Sequence, residues 1–379
     1  MDFSLSEEQR LLKETVDRLV RDQYGFEARQ KAAASEEGFS RDMWATFAEL
    51  GLLAVPFPEE VGGLGGGGVD LMVVAEAFGR GLVVEPYLAT VVLSGALVEL
   101  AGSDEQKAHI LGHIVAGEKL LAFAHGEPDG RYDLAHVATR AEKNGDGWRL
   151  TGRKSVVIGG GAADTLIVSA RTAGGTGDEA GIGLFLVARD AGGLTVRGNP
   201  TIDGGHSAEV VLDGVAAEPL GDPGAGFPAI EAAVARGIVA LCAEAVGAME
   251  VACETTLEYL KTRKQFGRAI GSFQALQHRM VDMRTELEQA RSMAILAAAK
   301  LSADRVERER TVSAAKVTIG RAAHHVAEEA IQLHGGIAMT WEYALSHYAK
   351  RLVMIDHQLG DVDFHTERFI ALTDGAEAA

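Results

Sequence analysis

The sequence predicts an α+β fold: an N-terminal helical domain, a middle β-domain, and a C-terminal bundle of long helices. Three observations carry this. Apolar residues recur at helical spacing through the first part of the chain. A central stretch then holds several short β-rich runs separated by Gly-rich turns. The last part holds two long apolar stripes stepping in alternating threes and fours. The expected divisions are residues 1–120, 121–222 and 223–379, and 379 residues suit two or three domains.

In the first domain Leu12, Val16, Leu19 and Val20 form one apolar stripe, and Ser6 and Gln9 are spaced as a capping box. The stretch "PFPEEVGGLGGGGVD", Pro56 to Asp70, interrupts the helical pattern. No Lys-Ser/Thr follows its glycines, so a phosphate loop is not expected, and a flexible helix–helix loop is. Helices resume with "LMVVAEAFGR". The middle domain carries "LLAFAH", "HVATRAE", "GWRLTGRKSVVI", "TLIVSA", "IGLFLVA", "LTVRG" and "AEVVLDGV", with "EKNGDGW" as a hairpin signal. So many short strands predict a small β-barrel or sandwich. In the third domain a helix is expected from about Ala229 to Thr262. The next carries Phe273, Leu276, Met280, Met283, Leu287, Ala290 and Ala294. A third carries Val312, Ala315, Ile319, Ala322, Val326, Ala330 and Leu333 and stops at Gly335-Gly336, a glycine C-cap. Such seams pack helices side by side as bundle core.

Composition excludes several classes. A net charge of -18 lacks the basic face that a nucleic-acid partner needs. The start "MDFSLSEEQR" shows no signal-peptide pattern, and no run of about 18 strongly apolar residues predicts a membrane-spanning helix. Cys242 and Cys253 lie on one helical stretch, about 16 Å apart along its axis, too far for a disulfide. They read as buried thiols, and the expected location is cytoplasmic. His324, His325, His334, His347, His357 and His365 are numerous, but there is no Glu-x-x-His and no His-Glu-x-x-His, so no metal site is expected. Gly-x-Ser-x-Gly and a strand-led Rossmann glycine pattern are also absent.

Two polar spots remain. "LKTRKQFGR" gathers Lys261, Arg263, Lys264 and Arg268 around Phe266 with no acid among them, and "QLHGGIAMTWEY", Gln332 to Tyr343, ends a helix in Gly-Gly. Glycines allow a ligand to approach the backbone, and exposed amides hold phosphate oxygens. Either spot alone is no more than a solvated helix end or a helix stop; together, behind a β-domain, they point to a ligand.

With this domain order, "RKQFG" and "QLHGG" resemble the acyl-CoA dehydrogenase family along nearly the whole chain. The resemblance implies a β-barrel in the middle, a four-helix bundle at the C-terminus, a tetramer and FAD shared between subunits. By motif match, Arg263, Phe266, Gln332, Gly335 and Gly336, with Gln274 beside them, would reach the ADP part of FAD across the interface. The implied activity is α,β-desaturation of an acyl-CoA thioester, in which a carboxylate removes the α proton. Electron-transfer flavoprotein is the implied redox partner. The family's usual glutamate position holds Gln358, and an amide is no base at neutral pH. The alternative position used by some relatives holds Gly237. Glu244 lies two turns further along that face, roughly 10 Å away, too far for a direct substitute.

The β-domain departs from the family pattern too. The family's flavin-binding Thr and Ser are Gly126 and Tyr132, its Trp-Ile-Thr is Val156-Val157-Ile158, and Glu127 and Asp133 are kept. Residues serving a neighbour's FAD are retained while those serving the chain's own are lost. Within the family this is similar to small subunits of the pimeloyl-CoA dehydrogenase type, and a heteromer with a homologous catalytic subunit is expected. Two alternatives stand beside it. One is a self-sufficient homo-oligomer with a displaced base such as Glu244 or Asp356. The other is a flavin-free structural or acyl-CoA-binding paralogue.

Overall fold

The structure, a computed structural model, describes residues 4–145 and 147–377, with side chains as far as Asp374. The chain forms two compact units. One comprises Met1–Lys31, Gly67–Val83 and Ile238–Ala379; the other comprises Ala32–Gly66 and Val84–Gly237.

The second unit contains helices α2 (Phe26–Ala33) in its last residues and α3 (Arg41–Glu49), then α5 (Ala96–Ala101) and α6 (Asp104–Val115), and the β-domain. A π-helical segment, Leu88–Gly95, leads into α5, a feature without a sequence signal. Ser103 and Gln106 make a reciprocal capping box at the start of α6. The Pro56–Asp70 stretch does join helices, but it is not the loose loop expected. The amides of Leu64, Gly65 and Gly66 donate to the carbonyls of Ala54, Phe57 and Val55. A Cβ on Gly63 would lie 2.0 Å from the Phe57 carbonyl oxygen, so glycine there permits close backbone packing.

The strands are β1 (Leu121–Ala124), β2 (Arg140–Asn144), β3 (Gly147–Ile158), β4 (Thr165–Arg171), β5 (Ile182–Ala188), β6 (Leu194–Pro200) and β7 (His206–Pro219). Each falls on one of the β-rich runs. Their pairings close a ring, β4-β2-β3-β7-β5 and back to β4, with β1 added on β4 and β6 on β7. This is the barrel the family resemblance implied. Leu150, Leu166, Val168, Phe185, Val187, Val210 and Leu212 fill it. The β2–β3 hairpin pairs down to Asn144 opposite Gly147; Asp146, part of its turn signal, lies outside the described residues.

One buried polar group holds the barrel. The Lys154 ammonium is fully buried and donates to the Glu127 carboxylate at 2.7 Å, the His125 carbonyl at 3.0 Å and the Ser169 hydroxyl at 3.0 Å. Glu127 also accepts from the Ala138 and Thr139 amides. All three lysine protons are spent, which is the condition for burying a charge at tolerable cost.

The first unit is built from α1 (Glu7–Gln23), α4 (Gly68–Gly81), the part of α7 (Phe227–Thr262) from Ile238 on, α8 (Gln274–Ala299), α9 (Arg305–His334), α10 (Leu345–Asp356) and α11 (Val362–Glu377). Ser6 and Gln9 cap α1 reciprocally. Every residue of the expected α9 seam is buried. In α8 the seam is buried only from Met283 on, while Phe273, Leu276 and Met280 are half-buried. Glycines bring α4 against α7: a Cβ on Gly79 would meet the Glu244 carbonyl oxygen at 2.0 Å, and one on Gly247 the Glu76 carbonyl oxygen at 1.9 Å. Arg291 adds ion pairs to Glu76 and Glu250 at 2.7 and 3.0 Å. Cys242 and Cys253 are free and buried, and burial pushes both thiols up to about 12.

By length and composition α7 could cross a membrane. However, 83% of its most apolar window is buried within the protein, the profile of a bundle-core helix.

Burial would raise the pKa of Glu127, but the charge and hydrogen bond of Lys154 and the bonds from Thr139 outweigh it, bringing it down to about 2 from 4.5. The folded value lies below the unfolded one, so the stabilisation is full above about pH 4.5 and fades as pH falls toward 2. Glu127→Gln should therefore lower the urea midpoint at pH 7, and the gap from wild type should shrink at pH 3. A gap that stays constant would show that the carboxylate's charge contributes nothing.

Candidate functional site

The basic stretch folds as a two-residue hairpin. β8 (Lys264–Gln265) pairs with β9 (Arg268–Ala269), with Gln265 opposite Arg268, so Phe266 and Gly267 form the turn. Both have positive φ, 53° and 78°, the pattern of a type I′ turn. Glycine suits it; phenylalanine is strained there. Phe266 is nonetheless 89% exposed. Its ring meets Phe273 edge-on at 6.0 Å, and the Arg268 guanidinium lies 4.0 Å over the Phe273 ring. Arg263 enters the hairpin with its amide donating to the Tyr259 carbonyl, and its own carbonyl accepts from the Ile270 amide. Arg263, Lys264 and Arg268 are all exposed, as is Gln274, the first residue of α8.

The Gly-Gly motif sits where α9 ends. Gly335, at φ 71°, caps the helix, its amide donating to the Ile331 carbonyl, and a 3-10 turn, Gly335–Met339, follows. Nothing lies within 4 Å of a Cβ built on Gly335 or Gly336, so both glycines face open space. Gln332 is exposed on the last turn of α9.

The structure brings the two motifs together through residues the sequence reading did not assign. The Tyr259 ring, one helical turn before Arg263, stacks on His334 at 4.3 Å, next to Gly335. The other side of His334 meets Tyr343 at 5.5 Å. His334 Nδ1 donates to the Ala330 carbonyl, and burial lowers the ring's pKa below the ordinary histidine value, only partly offset by that bond. The one available signal was spacing: Tyr259 lies four residues before Arg263.

At the expected base position the arrangement is closed. Arg351, on α10, grips Glu244, on α7, with Nε to Oε1 at 2.5 Å and Nη2 to Oε2 at 2.8 Å. Its Nη1 donates to Gln358 Oε1 at 3.0 Å. Glu244, offered above as a displaced base, thus has both oxygens committed to a bidentate ion pair. Asp356, the other candidate, has a buried Oδ1 without a hydrogen-bond partner, but this oxygen faces α9: a Cβ on Gly320 would lie 2.4 Å from it. Gly237 lies buried on α7 and offers no side chain.

In the β-domain Glu127 is committed to Lys154 and the backbone, and Asp133 Oδ1 accepts from the Ala135 amide in a turn. Both retained acids therefore serve the local fold. Gly126 accepts a hydrogen bond from the Ser155 amide at 2.8 Å, beside a bulge between Lys154 and Val157. In that bulge Val156 has φ 53° and is 68% exposed, while Val157 is buried. Tyr132 is half-buried in the loop after Gly126. Among the described residues no group of three or more His, Cys, Asp or Glu is placed to hold a metal ion.

Three family models match the chain in order. They are described as acyl-CoA dehydrogenase N-terminal domain (residues 6–118), middle domain (122–215) and C-terminal domain (224–357). The probable acyl-CoA dehydrogenase YngJ of Bacillus subtilis is 32% identical over 353 residues, 91% of this chain and 92% of that protein. Among solved structures, the glutaryl-coenzyme A dehydrogenase glutaryl-CoA complex superposes with a TM-score of 0.92 at 26% identity, covering 99% of this chain and 97% of that one. The ChsE4-ChsE5 complex from Mycobacterium tuberculosis does so with a TM-score of 0.88 at 28% identity, covering 98% of each.

The exposed, strained Phe266 gives a test of what the hairpin is for. Phe266→Gly relieves the positive φ and loses only the edge contact with Phe273. Folding stability, read from urea unfolding, should be unchanged or higher by up to about 1 kcal/mol. A loss beyond about 2 kcal/mol would mean that the ring supports the fold rather than an outside ligand.

Proposed function

We propose that this chain, which belongs to the acyl-CoA dehydrogenase family, is the base-less subunit of a heteromeric enzyme and lends half of an FAD site to a homologous catalytic partner. FAD is the cofactor of this family, where it accepts the hydride in acyl-CoA dehydrogenation. The hairpin and the Gly-Gly turn fit such a group. Arg263 offers a forked cation to a pyrophosphate, Gly335 and Gly336 leave room for close approach, and Phe266, Gln274 and Gln332 are exposed to contact a ligand.

The observation that carries the reading is Arg351. It commits Glu244 to an ion pair and holds Gln358 where the family's carboxylate would stand, so this chain offers no ready proton acceptor there. The substitutions at Gly126 and Val156 agree with the loss of the chain's own flavin contacts. The name of the ChsE4-ChsE5 complex is that of a pairing of two chains, which makes a two-chain assembly a natural model. An acyl-CoA substrate, a pimeloyl-type small-subunit role and electron-transfer flavoprotein as oxidant complete the proposal. A homomeric enzyme using Asp356 is the second reading, favoured only by its unpartnered Oδ1.

Two outcomes test this. The purified chain, supplied with FAD, an acyl-CoA and an artificial acceptor, should turn over about 100- to 10,000-fold more slowly than the assembled complex. The complex should carry one FAD per pair of chains by flavin absorbance. Robust turnover alone that disappears in Asp356→Asn would establish the homomeric reading instead. Separately, Arg263→Ala should weaken FAD binding to the complex about 10- to 150-fold, the worth of a charge-assisted hydrogen bond. Turnover should recover at saturating FAD, and Lys261→Ala should keep FAD, since Lys261 is engaged with Glu258 at 2.7 Å. Full FAD affinity in Arg263→Ala would reduce the hairpin to a solvated helix end.

A further inference from the structure

The end of α6 carries a polar arrangement that neither the fold nor the proposed function uses. The stretch "HILGHIVAGE", His109 to Glu118, sets two histidines four residues apart, with a glutamate five residues after the second. On a helix a spacing of four puts both rings on one face, one turn apart. The helix then stops in a Schellman motif. Gly117, at φ 72°, is the left-handed residue. Its amide donates to the Ile114 carbonyl at 2.9 Å, and the Glu118 amide donates to the His113 carbonyl at 3.0 Å. The Gly117 carbonyl accepts from Trp44 Nε1 at 3.2 Å, which pins the turn. This reversal carries Glu118 back over the last turn of α6.

The reversal sets the chemistry of His113. Its Nδ1 lies 2.7 Å from Glu118 Oε2. An ionised carboxylate only accepts, so Nδ1 holds the hydrogen and the neutral ring keeps its lone pair on Nε2. A carboxylate behind one ring nitrogen is the arrangement that orients histidines on metal ions. His109 is exposed and makes no hydrogen bond among the described residues, so its ring is free to turn. The two ring centres stand 4.9 Å apart. An ion about 2.1 Å from one nitrogen of each ring, in right-angled to tetrahedral geometry, sets the centres about 4.5 to 5.2 Å apart. The side chains of His113 and Glu118 are 43% and 62% exposed, which leaves access for an ion and its waters. Other histidines lack one of these features: His324 Nε2 is spent on Glu328 at 3.0 Å, and His334, His347 and His365 are buried.

We propose that His109 and His113 chelate a divalent transition-metal ion of the zinc, nickel or copper class, with Glu118 as the positioning residue that presents His113 Nε2. Imidazole nitrogens suit these ions, whereas magnesium and calcium take oxygen ligands. Glu118 stands behind the ring rather than at the ion, so the site has two protein ligands and water completes it. A formal charge of -18 draws cations toward the chain. The site is built from ten consecutive residues and does not rest on the FAD reading.

The test is calorimetric titration of the untagged full-length chain with nickel chloride. One tightly held ion per chain is expected, with copper binding more tightly and magnesium giving no heat. His109→Gln and His113→Gln should each weaken nickel binding about 100-fold or more, because a single ligand cannot chelate. Glu118→Ala should weaken it about 10- to 100-fold with helix content by circular dichroism unchanged. Glu118→Gln, which keeps an acceptor for the Nδ1 hydrogen, should restore most of that loss. His324→Gln should bind nickel as wild type does, since its ring is engaged with Glu328. Absence of nickel binding in wild type, binding that survives in His109→Gln or His113→Gln, or unchanged affinity in Glu118→Ala would each overturn the proposal. Loss of binding in His324→Gln would overturn it too, by placing the ion on α9.

Discussion

Arg351 is the constraint on which the site depends. One guanidinium joins α7 to α10 through Glu244 and then reaches Gln358 with its remaining nitrogen. A bidentate pair of this kind is directional as well as attractive, so it fixes both partners in orientation. It removes Glu244 as a free base and turns the Gln358 amide outward. A half-buried pair such as this one, with side chains 14% exposed, contributes less to stability than its Coulomb attraction suggests, because both ions lose water. Its value lies in specifying geometry.

The same logic recurs at Lys316 and Lys154. Each is a fully buried lysine with three acceptors, one set entirely backbone carbonyls and the other mixed. Lys316 sets a turn on the bundle; Lys154 ties β3 to Ser169 on β4 and to His125 and Glu127 in the segment after β1. Burial lowers the affinity of both ammonium groups for their protons, only partly opposed by the charge and hydrogen bond of Glu127 at Lys154 and by Cys242, Asp356 and Asp361 near Lys316. These groups explain why Glu127 can be kept while neighbouring Gly126 and Val156 depart from the family pattern: the acid serves the barrel's fold.

Much of the architecture was legible because it depends on periodicity. The α9 seam from Val312 to Leu333 is buried throughout, and each β-rich run became a strand. Barrel closure was not readable from the runs alone, since a ring and a sandwich share the same alternation; it came from the family resemblance. The Gly79 and Gly247 contacts, the Tyr259–His334 stack and the Arg351 clamp were not legible either. They join residues far apart in sequence, and nothing in a single chain marks which arginine meets which glutamate. The Tyr259–His334 stack, which joins the helix before the basic hairpin to the end of α9, went unread. The glycine-rich loop misled: composition suggested looseness where backbone hydrogen bonds fix the chain.

The central claim is that this chain has no working base of its own. Exchange at the substrate's α carbon reports on that directly, without a partner or an electron acceptor. Butyryl-CoA incubated with the purified, FAD-supplied chain in deuterated buffer should gain no α-deuterium above the protein-free rate, as followed by mass spectrometry. Protein-dependent deuterium incorporation that disappears in Glu244→Gln or Asp356→Asn would contradict the claim and identify the base.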